Sequence, residues 1–248
     1  MTKNKRTTLW VVLLFLRTLK RLKMVNNTTS CIKCVDGENS MVKNGKSKTG
    51  KQRYICKTCG KTQVENYTYN AYTPNLNKQI IILTKEGLGI RSTARVLQIS
   101  TTTLLSRIIT IAQGIKQPPV SINKVYEVDE ICTFIKSKSK QIWIVYTLER
   151  KSSNVVSFSV GSRSNKTLSI VLKSLHYSTP KAIYTDGLKN YRYLVSEQIH
   201  RVKLYGTNHI ERKNLTLRTH LKRLNRRSIC FTKSLLVLLS VLKMYFWG

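Results

Sequence analysis

The sequence predicts a mixed α/β protein in which a compact metal-held module and a set of short helices precede a sheet-containing domain. Three observations carry this. Two Cys-x-x-Cys pairs, Cys31/Cys34 and Cys56/Cys59, are separated by a short polar stretch. Residues 74–115 have helical patterning that stops at Pro118-Pro119, where proline cannot continue a helix and restricts its predecessor. From Val125 the texture changes to β-rich runs, VYEVDEICTFI, QIWIVYTLE and NVVSFSV, separated by the polar turns KSKSK and RKSS. The 248 residues, 41% of them hydrophobic, suffice for one mid-sized domain plus a small appendage. The divisions that follow are an N-terminal extension over 1–28, a zinc ribbon over 29–70, a helical segment over 71–118 and an α/β domain over 121–248.

The extension contains LWVVLLFL, Leu9 to Leu16, flanked on both sides by Lys and Arg. Eight apolar residues are too short for a membrane span, and the basic RTLKRLK that follows is unlike a signal-peptide cleavage site. The expectation is a start-site artefact with Met24 as the working start, or a short amphipathic helix. The apolar C-terminal run from Leu235 to Trp247 is interrupted by Ser240 and Lys243 and reads as a core or partner-facing helix.

In the module, four thiolates on two knuckles can surround Zn²⁺ tetrahedrally, and the metal supplies folding energy that so small a unit lacks. The assignment is structural zinc on Cys31, Cys34, Cys56 and Cys59, because four protein ligands leave no open position. This spacing suits a metal in a reducing compartment better than disulfides. Gly60 suits the tight turn of the knuckle RYICKTCGK, whose Lys57 and Lys61 fit phosphate contacts. The isolated Cys132 and Cys230 read as core residues.

Thr73 is placed to N-cap a helix with Pro74 at its first position, and Gly87 and Gly89 end it. A second short helix runs from Arg91 to Leu97. Ser100 can cap a third, Thr101 to Gly114. The segment RSTARVLQISTTTLLSRI is similar to a helix-turn-helix, with Ala94 at the helix contact and Ile99 as the turn hydrophobe. Thr101, Thr102, Thr103 and Arg107 then fall on or near the helix that reads the groove. A plain three-helix packing element is the alternative, and the flanking charge favours nucleic-acid reading.

In the α/β domain the three strands lead into a helix from Lys166 to His176, with Leu168, Val171, Leu172 and Leu175 on one face. A short strand, Ala182 to Thr185, ends at Asp186-Gly187. A long basic helix is expected from about Ile210 to Arg227.

Charge is the most extreme property of the chain: 44 Lys and Arg against 11 Asp and Glu, net +33. The excess is +12 over residues 1–73, +5 over 74–120 and +16 over 121–248, so it is not a basic tail. Such a protein requires a polyanion, most commonly nucleic acid. Scarcity makes the acids informative, since the only aspartates are Asp36, Asp129 and Asp186. A carboxylate on a phosphate-binding surface is tolerable when a divalent cation sits between the two. In VYEVDE, Glu127 and Asp129 share one strand face and Glu130 the other, so Asp129 and Glu130 are not expected in one site without a bulge. Asp186 ends a strand. Glu211 begins the basic helix, with Arg218 and Lys222 on nearly the same stripe. A metal ligand beside a phosphate clamp fits that helix, and Lys213, Lys222, Arg223, Arg226 and Arg227 are its expected DNA contacts. The four histidines show no metal-like pairing and read as surface or DNA-proximal.

These pieces together match a known family. The zinc knuckles, the helix-turn-helix, EVDEICTFIKSKSKQIWIVYTLERK, YTDGLKNY and HIERKNLTLRTHLKRLNRRSICFTKS resemble transposases of the insertion sequence 1 family, over nearly everything after Met24. The resemblance implies a ribonuclease-H-like catalytic domain, a mixed sheet with flanking helices. It implies a catalytic triad of Asp129, Asp186 and Glu211 binding Mg²⁺ or Mn²⁺, with Arg218 as the basic residue after the glutamate. The implied reaction frees a 3′-hydroxyl at an element end and joins it to target DNA by two-metal-ion catalysis. The implied setting is cytoplasmic and nucleoid-associated, with DNA and a homodimer or higher oligomer as partners, and no membrane. Cys132 stands where relatives often have an aromatic residue, and Glu149 where an Asp is usual. A non-enzymatic zinc-ribbon and helix-turn-helix regulator, an inactive copy and a nuclease without joining activity are the competing readings. A regulator has no need of the three carboxylates.

Overall fold

The computed structural model describes residues 31, 33, 34, 41–48, 50–64, 69–225, 227 and 230–248. The N-terminal extension and Arg226 lie outside the described residues. The chain divides into two compact units, Met1–Thr68 and Tyr69–Gly248.

In the first unit, β1 (Met41–Lys46), β2 (Gln52–Cys56) and β3 (Thr62–Val64) form an antiparallel sheet in that order. The chain reverses after β2 through Gly60, whose φ of +68° is a left-handed value that glycine adopts without Cβ strain. The Gly60 amide donates to the Cys56 carbonyl at 2.9 Å, and the Cys56 amide to the Lys61 carbonyl at 2.9 Å. This closed loop brings Cys59 back over Cys56.

The second unit opens with α1 (Leu76–Lys85), α2 (Ile90–Leu97) and α3 (Thr101–Gly114). The Ser100 hydroxyl caps α3 as expected, accepting from the Thr103 amide at 3.0 Å. The cap of α1 differs from expectation. Asn75, at φ +66°, is its N-cap, and the Thr73 hydroxyl is turned back onto the Asn70 carbonyl. The chain bends once more through a left-handed residue before the helix begins, so Pro74 lies in the turn and not in the helix.

The sheet contains β4 (Val125–Ile135), β5 (Ser137–Glu149), β6 (Val155–Gly161), β7 (Ala182–Thr185) and β8 (His200–Arg201). Helices α4 (Asn165–His176) and α5 (Lys189–Leu194) connect the later strands, and α6 (Asn208–His220) and α7 (Leu235–Trp247) complete the unit. The strand order is β6-β5-β4-β7-β8. The first three strands pair antiparallel, and β4, β7 and β8 pair parallel. Three antiparallel strands extended by two parallel ones beside the first, with helices on both faces, make this a ribonuclease-H-like domain.

Alternation along β4 sends side chains into two separate cores. Tyr126 and Val128 join Leu168, Val171 and Leu175 of α4. Ile131 joins Tyr146, Ile210, Leu217 and the buried residues of α7. The second core also takes in Ile80, Ala94, Leu104 and Ile108, so the three N-terminal helices share one apolar interior with the sheet. Helix α7 supplies much of that interior through Leu238, Val241, Leu242 and Met244. Among the described residues no helix is long and apolar enough to cross a membrane.

The basic helix is shorter than the sequence suggested. It ends at His220, and a 3₁₀ turn over Lys222–Leu224 follows. Breaking there buries both Leu221 and Leu224, and the Thr133 hydroxyl donates to the Arg223 carbonyl at 3.2 Å. Lys222, Arg223 and Arg227 therefore do not continue the stripe that starts at Glu211. Cys230 is exposed and Cys132 half-buried, so neither is the core residue expected.

Candidate active site and metal-binding groups

Pairing between β4 and β7 ends at Val128 opposite Thr185. The next residues, Asp129 and Asp186, therefore lie side by side just beyond the stretch in which β4 and β7 pair. Asp129 is tightly held. Its Oδ1 accepts from the Glu130 amide at 2.7 Å and its Oδ2 from Asn214 Nδ2 at 2.6 Å. Asn214 sits on α6, and its own Oδ1 accepts from the buried Tyr146 hydroxyl at 2.7 Å. That hydroxyl also lies 3.2 Å from the Ile210 carbonyl. One face of α6 is thus tied to the strand that carries Asp129.

Carboxylate oxygens of Asp129, Glu130 and Asp186 all lie within 4.8 Å of one another. The β4–β5 ladder is regular through Asp129 and Glu130, so no bulge is needed to bring them together. The expectation from strict alternation fails because β7 stops one residue short. The flank of β4 is open there, and side chains from both faces can reach around it toward Asp186.

This crowding disfavours negative charge. Burial, countered partly by the Glu130 amide and reinforced by the Asp186 charge, pushes Asp129 up to about 6. Burial, with the Asp186 charge next, pushes Glu130 up to about 7. Arg163 offers partial relief, with Nη2 3.7 Å from Glu130 Oε2 and 4.0 Å from Asp186 Oδ2, while its guanidinium stacks over Trp143 at 4.5 Å. Glu130 Oε1 is buried without a hydrogen-bond partner. An orphaned carboxylate oxygen among three clustered carboxylates fits a hard divalent cation such as Mg²⁺ or Mn²⁺.

Glu211 lies on the first turn of α6, exposed, with its Oε1 accepting from the Thr207 hydroxyl at 2.7 Å. It is outside the cluster of three, yet near enough that its charge adds to the upward push on Asp129. Arg218, half-buried on the same helix, lies near Tyr146, whose pKa its charge moderates. Burial lowers the pKa of Lys213. Lys222 and Arg227 are exposed, and Arg223 is half-buried.

On the helical segment, Thr101 and Thr102 are exposed at the start of α3. Thr103 is engaged locally, its hydroxyl 2.7 Å from Tyr69 and 2.8 Å from Ser100. Arg107 braces the preceding turn, donating to the Ala71 carbonyl at 3.0 Å.

In the first unit, the sulfurs of Cys31, Cys34, Cys56 and Cys59 all lie within 4.8 Å of one another, and Cys31 and Cys59 are 3.6 Å apart. A tetrahedron with Zn–S bonds of about 2.3 Å has S···S edges of about 3.8 Å, so the cluster has the dimensions of a Zn(Cys)₄ site. Backbone amides of Cys34 and Lys33 lower the Cys31 thiol, whereas the hydrogen bond with Cys59 and burial push Cys34 up to about 12.

Several groups at the site had no place in the sequence reading. Glu127, fully buried, accepts from His209 Nδ1 at 2.8 Å and from the Ile210 amide at 2.9 Å, and pairs with Arg150 Nε at 3.1 Å. Glu130, Asn214, Tyr146 and Arg163 also went unassigned. Only Glu127 carried a usable signal, since it shares a strand face with Asp129. The histidines are less free than expected: His209 bonds Glu127, His200 Nε2 lies 2.8 Å from the Thr185 hydroxyl, and His220 Nδ1 lies 2.7 Å from the Tyr245 hydroxyl.

A family model described as IS1 transposase matches residues 123–246, and one described as InsA C-terminal domain matches residues 67–109. The chain is 35% identical over 108 residues to the insertion element iso-IS1n protein InsB of Shigella dysenteriae, covering 44% of this chain and 82% of that protein. It is 34% identical over 118 residues to the insertion element IS1 2 protein InsB of Escherichia coli K12, covering 48% and 71%. Among solved structures, the simian T-cell lymphotropic virus intasome in complex with PP2A regulatory subunit B56 gamma aligns at a TM-score of 0.35 and 15% identity, over 66% of each chain. The HTLV-2 integrase catalytic core domain in complex with magnesium aligns at 0.33 and 17%, over 52% of this chain and 86% of that one.

Proposed function

This chain belongs to the IS1 transposase family, and from that premise we propose that it cuts the phosphodiester at the ends of its mobile element and joins the freed 3′-hydroxyl to target DNA. The observation that carries the reading is the meeting of Asp129, within β4, and Asp186, just past the end of β7, where the pairing of the two strands stops, with the Glu211 helix tied to Asp129 through Asn214. Asp129, Asp186 and Glu211 would hold the divalent ions, with Glu130, whose orphaned oxygen belongs to the same cluster, beside them. Bound there, Mg²⁺ or Mn²⁺ would act as a Lewis acid toward the attacking and leaving oxygens. The protein's part is positioning. Asn214 and the Glu130 amide fix both oxygens of Asp129, Thr207 holds Glu211, and Arg163 balances charge beside Asp186. Arg218 is assigned to the transferring phosphate, and Lys213, Lys222, Arg223 and Arg227 to the flanking backbone.

End recognition falls to the first unit and to α3. The four cysteines would hold structural Zn²⁺, and Thr101, Thr102, Thr103 and Arg107 would stand at the groove. Thr101 and Thr102 are the exposed members of that set, while Arg107 is also needed to brace the turn before α1. We assign a homodimer or higher oligomer to the DNA complex, because two element ends must be handled together.

Asp129→Asn tests the reading. The substitution is nearly isosteric, so end binding in a mobility-shift assay stays close to wild type while cleavage of a labelled element end disappears. Equal cleavage by both proteins would remove Asp129 from the chemistry.

A further inference from the structure

Glu127 is the most deeply buried carboxylate of the chain's described residues, yet it is not a member of the cluster of Asp129, Glu130 and Asp186. Two of its partners, His209 and Ile210, lie in the first turn of α6, and the third, Arg150, directly follows β5. One oxygen accepts from His209 Nδ1 and faces Arg150 Nε; the other accepts from the Ile210 amide. His209 and Ile210 are the two residues immediately before Glu211. A negative charge at this first turn also complements the positive end of the helix dipole.

A second set of contacts holds the same place from the other side. The Arg150 guanidinium stacks on Tyr184 at 4.5 Å. The loop before α6 is pressed onto that ring, since a Cβ on Gly206 would come within 2.9 Å of Tyr184 Cδ1 and of the Lys203 carbonyl. Strand β4, the end of β5, strand β7 and the approach to α6 therefore converge on one carboxylate.

We propose that Glu127 is a positioning residue, which clamps the first turn of α6 through His209 and the Ile210 amide so that Glu211 is presented to the site of Asp129 and Asp186. The inference rests on the assignment of Glu211 as a metal ligand. The clamp is rigid because both ends are over-determined: β4 is central in the sheet, and the Ile210 side chain is fully buried. Loss of the His209 arm leaves Ile210 in place but lets the exposed end of the turn, with Glu211, rotate.

The test uses the full chain and His209, whose half-exposed side chain can be changed without opening the core. Asparagine carries its amide nitrogen where histidine carries Nδ1, so His209→Asn keeps the hydrogen bond and removes the ring, whereas His209→Ala removes both. Mn²⁺ affinity is measured by titration calorimetry without DNA, and kcat and KM on a labelled element end. His209→Ala is expected to weaken Mn²⁺ binding and lower kcat by about tenfold, the usual effect of losing a residue that orients a metal ligand, with KM for DNA unchanged. His209→Asn is expected to restore both to within about twofold of wild type. Glu127→Gln, which keeps the size but loses one arm, is expected to show the same pattern if it folds. Unchanged Mn²⁺ affinity in His209→Ala would overturn the clamp, and so would His209→Asn as defective as His209→Ala. Glu211→Gln separates this from the parent reading. If it loses Mn²⁺ affinity while His209→Ala does not, the triad stands and the clamp falls; if Glu211→Gln binds Mn²⁺ normally, both fall.

Discussion

Asp129 and Glu130 are acids kept in surroundings that resist their ionisation, at about 6 and about 7 against ordinary values of 3.8 and 4.5. A raised folded-state pKa favours the native state fully below the ordinary value, and that advantage is lost as pH rises through the raised one. Without divalent ions, these two groups therefore stabilise the protein near pH 4 and cease to do so between about pH 6 and 7. Thermal melts at pH 5 and pH 8 on wild type and Asp129→Asn read this out. At pH 8 the metal-free variant is expected to be the more stable, on the order of 2 kcal/mol from relief of buried charge, with the gap narrowing to about half at pH 5 and reversing in Mg²⁺. A variant less stable at pH 8 without metal would contradict the crowding. The sequence made Asp129 and Asp186 legible because one lies in a strand and the other ends one, in a chain poor in acids. It could not place Glu130 or Asn214. Glu130 reaches the site only because β7 stops one residue early, and Asn214 matters only because α6 crosses β4, facts of tertiary packing without a local pattern.

Helices in this protein were readable where their caps were local and misread where packing set the boundary. Ser100 caps α3 as its sequence implied, through the Thr103 amide. The basic helix ran past its true end because charge continues to Arg227 while the core demands Leu221 and Leu224, and the backbone breaks at His220 to bury them. Gly87 shows the same tertiary control. Its φ is +80°, and a Cβ there would lie 2.5 Å from the His220 carbonyl oxygen, where α6 ends. Helix α7 is the element on which the second unit depends most, since its buried residues line the core shared by α1, α3 and the sheet. Leu242→Ala should cost about 2–5 kcal/mol, and circular dichroism should show the helices and the sheet melting together. A mutant that loses the N-terminal helices in a separate transition would contradict the shared core. The strand runs were the most legible elements, because alternation and turn residues are both local signals.

At the scale of the whole molecule, a chain of net charge +33 concentrates its few acids in the catalytic half, where a polyanion would otherwise be repelled. On the proposed reading divalent ions would reconcile the two, and the four clustered cysteines would supply a second metal-dependent unit. Removing zinc should unfold the first unit and weaken end binding without lowering the melting temperature of the second, because the two are separate compact units. Chelation that leaves end binding unchanged would contradict the cysteine assignment. Composition and spacing made the ribbon, the helices and the α/β order legible, but not that the N-terminal helices and the sheet share one core. A crystal structure with Mn²⁺ and an anomalous difference map would test the three-carboxylate metal site. Metal peaks are expected about 2.0–2.2 Å from carboxylate oxygens of Asp129, Asp186 and Glu211. Peaks bound without Glu211, or located away from Asp129 and Asp186, would contradict it.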